Sequence, residues 1–142
     1  MSSTATAHAG TASEVRFFDV SEGEGKFQVF AKVFELGPDC LVILWGGTRP
    51  HVGAVGMAQV RPSLRDPVQL AATSSVFTFV GHKEDTVAKL MSEELARRLG
   101  RNTVIAAGIH WDGLTDDDIK AITVLCQAIK EQIIVKYKTF FS

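Results

Sequence analysis

Two short stretches, residues 40–45 (Cys-Leu-Val-Ile-Leu-Trp) and 104–109 (Val-Ile-Ala-Ala-Gly-Ile), are apolar at every position. Both have the length of a strand. Continuous rather than alternating hydrophobicity means that both faces of such a strand are covered. Only two segments of the chain have a helical period, and two helices laid on a sheet cover one side of it. An apolar sheet face open to water is a patch that monomers rarely carry. The sequence therefore predicts a second copy packed sheet to sheet, most simply as a two-fold homodimer.

The remaining elements follow from pattern and punctuation. Residues 15–20 read as a first strand, followed by the turn Ser21-Glu22-Gly23-Glu24-Gly25. Residues 26–36 form a long strand with Phe27, Val29, Ala31 and Val33 on one side. Phe30, Phe34 and Leu36 share the other side with Gln28 and Lys32. Gly37-Pro38-Asp39 closes a hairpin into strand 40–45. Strands at 52–60 and 70–80 flank a polar connection with two prolines. A helix over 84–99 carries Val87, Leu90, Met91, Leu95 and Leu99 as one stripe, with acids in its first turn, arginines in its last and Gly100 as its stop. Strand 103–110 comes next. Thr115 and Asp118 resemble a cap pair for a final helix with Ile119, Ile122, Cys126, Ile129 and Ile133 on one side. This order predicts an α+β fold: a mainly antiparallel six-stranded sheet, two helices on one face, the other face used for dimerisation.

Composition narrows the function. The 142 residues fit one domain, read as 15–142 behind a disordered Ser/Thr/Ala/Gly tail over 1–14. Net charge is −1 with the charges dispersed, which argues against a nucleic-acid partner. No apolar run is long enough for a membrane span, and residues 1–14 lack the build of a secretion signal. Cys40 and Cys126, both inside apolar segments, read as buried free thiols, so a reducing, cytoplasmic location is expected.

Three segments join polar groups to glycine at strand ends: 46–51, 73–75 leading to 81–85, and 108–112. Glycine lets a backbone approach a ligand closely. Gly81, His82 and Lys83 stand at a helix start, where free N–H groups and the dipole favour an anion, so they form a candidate phosphate cradle. No established phosphate-loop spacing is present. Glu84 and Asp85 read as dipole-matched charges, and Ser74 and Ser75 lack a nucleophile-elbow context. Trp45 and Trp111 read as packing residues first. His51, His82 and His110, with Asp112, offer ligands suited to zinc or iron but at no close spacing; a small metal-dependent hydrolase is the catalytic alternative.

The runs 44–55 (Leu-Trp-Gly-Gly-Thr-Arg-Pro-His-Val-Gly-Ala-Val), Ser74-Ser75-Val76 with Gly81-His82-Lys83-Glu84-Asp85, and 107–112 (Ala-Gly-Ile-His-Trp-Asp) resemble the LpdD-like prenylated-flavin chaperones. These are small microbial proteins associated with UbiD-type decarboxylases. The resemblance covers about 26–134. It implies a dimer with a fold like that of the proteasome assembly chaperones, and an accessory protein rather than an enzyme. It also implies binding of reduced prenylated FMN and its delivery to an apo UbiD-like hydroxyaryl acid decarboxylase. On that reading the phosphate goes to Gly81, His82 and Lys83, with Arg49 in the Gly46–Gly47 loop as the second choice. The ring system goes near Trp45, His51 and His110, and Ser74 and Ser75 complete the candidate set. A chaperone that binds only protein is the remaining alternative.

Overall fold

A computed structural model of the chain describes residues 5–6, 13–79 and 85–141. In chain order the elements are β1 (Ala5–Thr6), β2 (Arg16–Glu24), β3 (Phe27–Leu36), β4 (Asp39–Gly47), β5 (Ala54–Pro62), β6 (Leu70–Thr78), α1 (Asp85–Leu99), β7 (Thr103–His110) and α2 (Asp116–Phe140). The first hairpins form where the chain can reverse. Gly25 and Gly37 adopt φ of 59° and 57°, open to glycine without a Cβ penalty, and each sits in a two-residue turn. The expected 21–25 turn is thereby shortened: β2 runs on to Glu24 and only Gly25-Lys26 turns. Most of the expected tail lies outside the described residues. Within it, Ala5 and Thr6 pair with Phe18 and Phe17 of β2.

The strand order is β1-β2-β3-β4-β7-β5-β6. Every pairing is antiparallel except β4 with β7, so the sheet is mixed but mostly antiparallel. Sequence neighbours β4 and β5 are not neighbours in space, because β7 enters between them after α1. This insertion brings the two apolar runs together. β4 and β7 lie side by side in the middle of the sheet, flanked on both edges.

One cross-strand row shows how the helices lie. Phe18, Val33, Val42, Ile105 and Gly56 are in register across five strands. At one end Phe18 meets Tyr137 of α2 edge-on at 6.4 Å. At the other, a Cβ on Gly56 would stand 2.4 Å from the Ala88 carbonyl oxygen of α1. Both helices therefore cover the same face, and the core lies beneath them, with Val29, Leu44, Leu95, Ile129 and Ile133 fully buried. The alternation read in β3 holds: Phe27, Val29, Ala31 and Val33 are buried and their neighbours are not. The helix stripes are rotated from expectation. α1 presses Ala88, Met91, Ser92, Leu95 and Ala96 to the sheet, leaving Leu90 53% exposed, because contact with a glycine strand favours small residues. Ile119 is likewise half exposed, while Leu125 is buried in its place.

α2 starts on a complete capping box. The Thr115 hydroxyl accepts from the Asp118 backbone N–H at 3.1 Å, and the Asp118 carboxylate accepts from the Thr115 N–H at 3.1 Å. Asp thus substitutes for the usual Glu or Gln at this position. No described helix is long and apolar enough to cross a membrane.

Candidate functional site

The C-terminal ends of the parallel pair carry glycine and histidine in register: Trp45 beside Gly108, Gly46 beside Ile109, Gly47 beside His110. The chain folds back over this end at distances that tolerate no side chain. A Cβ on Gly108 would lie 1.8 Å from the His51 carbonyl oxygen, and one on Gly47, whose φ is 109°, 1.8 Å from that of His110. Hydrogen bonds fix the crossing: Thr48 N–H to the His110 carbonyl at 3.1 Å, Gly53 N–H to Ala107 at 2.8 Å, and Phe79 N–H to Gly53 at 2.9 Å. His51 Nδ1 lies 3.2 Å from the Arg49 carbonyl, and His110 Nε2 lies 3.0 Å from a carboxylate oxygen of Asp112. Trp45 stacks on Phe30 at 5.6 Å on the face without helices. Trp111, on the helix side, packs edge-on against Phe27. Trp45, Gly46, Gly47, His51 and His110 are thus brought to one end of the sheet, with Arg49 exposed in the loop above them.

The serines are separated from this end and from each other. Ser74 points to the helix side and donates to Glu93, which also binds Lys89. Those two contacts, that of Lys89 first, hold the Glu93 carboxyl below its usual range. Ser75 lies on the opposite face, in register with Met57 and, through it, Val104. Gly108 is four residues further along β7, about 13 Å at the rise of a strand. Gly81, His82, Lys83 and Glu84 lie outside the described residues, and with them the expected phosphate cradle and one of the three histidines of the hydrolase reading. Among the described residues no three His, Cys, Asp or Glu side chains converge as metal ligands. Both cysteines are free and buried. Burial pushes the Cys40 thiol up to about 12 and the Cys126 thiol up to about 11.

One feature escaped the sequence. The helix-free face hollows across β4, β7, β5 and β6 into a depression of about 580 Å³, lined by Leu41, Val104, Met57, Gln59, Thr73 and Ser75 among others. Alternation could have placed each residue on its face. Nothing in the sequence says that β7 separates β4 from β5, and that adjacency makes the hollow. The same face exposes Ile43, Met57 and Phe77 to 39%, 51% and 65%.

Two comparisons bear on these features. Protein LpdD of Lactiplantibacillus plantarum is 28% identical to this chain over 108 residues, 76% of each chain. A family model described as the prenylated flavin chaperone LpdD-like domain matches residues 23–138. That match runs from the end of β2 into the last turn of α2 and takes in both the histidine end and the hollow; the chain belongs to the prenylated flavin chaperone LpdD-like family.

Proposed function

We propose that this protein binds reduced prenylated FMN as cargo and hands it to an apo UbiD-like hydroxyaryl acid decarboxylase. It does so as a cytoplasmic homodimer with no turnover of its own. The family carries the reading, since its description is that of a prenylated flavin chaperone. The helix-free face supports it with what such a cargo needs, apolar surface ending in the Phe30–Trp45 stack beside His110. The phosphate is assigned to Gly81, His82 and Lys83, which precede α1 in the sequence. The second copy is assigned to the same open face, where exposed Ile43, Met57 and Phe77 stand together.

The test is an anaerobic titration with reduced prenylated FMN, followed by transfer to a purified apo decarboxylase. Saturable binding and faster gain of decarboxylase activity are expected. Absence of binding, or hydroxybenzoate turnover by the chaperone alone, overturns the reading. Ile43→Lys places a charge at the proposed dimer contact, where burial without a partner costs several kcal/mol. It should halve the mass seen by light scattering; a monomeric unmodified protein at micromolar concentration removes the dimer.

A further inference from the structure

We infer that the hollow across β4, β7, β5 and β6 seats the fused ring system of the cargo, as a site for a flavin-type heterocycle bearing an imide edge. This rests on the flavin-cargo reading and moves the ring away from the Trp45, His51 and His110 end. The volume, about 580 Å³, lies within the ~300–1,000 Å³ of small-molecule sites. Four strands ~4.8 Å apart give a floor wide enough for a flat ring lying across them. One row of that floor reads Leu41, Val104, Met57, Ser75 in register. It passes from aliphatic to polar, so a ring with one hydrocarbon and one heteroatom edge has a single favoured orientation.

The polar rim distinguishes a ligand from a protein surface resting directly on the hollow. Asn102 Oδ1 accepts from the Val60 N–H at 3.0 Å, so its amide N–H groups are the ones left for a ligand. Thr73 Oγ1 accepts from Arg61 Nε at 2.7 Å and retains its own O–H to donate. The Gln59 and Ser75 side chains make no hydrogen bond within the described residues. An imide edge presents acceptor, donor, acceptor. The rim supplies donors for both carbonyls, and Gln59 or Ser75 supplies an acceptor for the N–H. An apolar sheet pressed onto the same groups would leave each unpaired. A second copy on this face therefore roofs the hollow instead of filling it.

The experiment measures affinity for reduced prenylated FMN, anaerobically, in three variants of the full chain. Gln59→Leu combined with Ser75→Ala removes rim bonds and should weaken binding about tenfold or more. Its melting temperature and mass should stay unchanged, since neither side chain is bonded within the described residues. Met57→Trp fills the hollow from its apolar side and should give a comparable loss by a separate route. Val124→Ala, on the exposed side of α2, should bind as the unmodified protein does. If the unmodified protein binds and both hollow variants bind equally tightly, the ring lies elsewhere while the cargo reading stands. If the unmodified protein does not bind, the cargo reading and this site fall together.

Discussion

Gly108→Ala tests whether the histidine end is built by close backbone crossing. The added Cβ would stand 1.8 Å from the His51 carbonyl oxygen and 2.6 Å from its carbon, where ordinary contact begins near 3.4 Å. The obstacle is backbone, so no rotamer relieves it. The crossing segment is held by Gly53 N–H to Ala107 and Phe79 N–H to Gly53, and both bonds must stretch if it retreats. Overpacking costs ~1–3 kcal/mol and the two stretched hydrogen bonds together about 1 kcal/mol more, so a total of ~2–4 kcal/mol is expected. At ~3 °C per kcal/mol for a chain of this size, the melting temperature should fall by ~6–12 °C, read by circular dichroism. Gly25→Ala is the reference. Its φ is positive, at 59°, but nothing lies within 4 Å of the new Cβ, so it carries only the left-handed backbone penalty of ~1 kcal/mol. Gly108→Ala melting at or above Gly25→Ala would refute the close-crossing argument.

Other outcomes follow from single contacts. Thr115→Ala removes the α2 cap and should cost ~1 kcal/mol in urea denaturation; an unchanged midpoint would show the box to be idle. The Thr115 backbone N–H holds the Asp118 carboxyl below its usual 3.8. Its contribution is therefore present at neutral pH and lost as pH falls from about 4 through the depressed value. Stability curves of Asp118→Asn and the unmodified protein should converge in acid and separate above it. With thiols pushed up to about 12 and about 11, Cys40 and Cys126 should resist alkylation at pH 8 in the folded protein and react promptly in denaturant. Gly56→Ala drives a Cβ to 2.4 Å from the Ala88 backbone carbonyl and should lift α1 from β5, lowering the melting temperature; because the obstacle is backbone, adding Ala88→Gly should not restore it.

Local chemistry was legible in the sequence because it acts over a few residues. The Gly37-Pro38 reversal, the β3 alternation, the Gly100 stop and the Thr115–Asp118 cap each need only their own neighbours, and each stands where the pattern puts it. The apolar runs 40–45 and 104–109 announced two strands, and the runs 44–55 and 107–112 carried the family. Beyond this the sequence is silent, because strand order is settled by which long-range pairing buries the most surface. Only the tertiary structure placed β7 between β4 and β5, made one pairing parallel and turned α1 onto its small residues. The hollow belongs to that second class: its walls come from residues as far apart as Leu41 and Val104, and their proximity exists only once the sheet has closed.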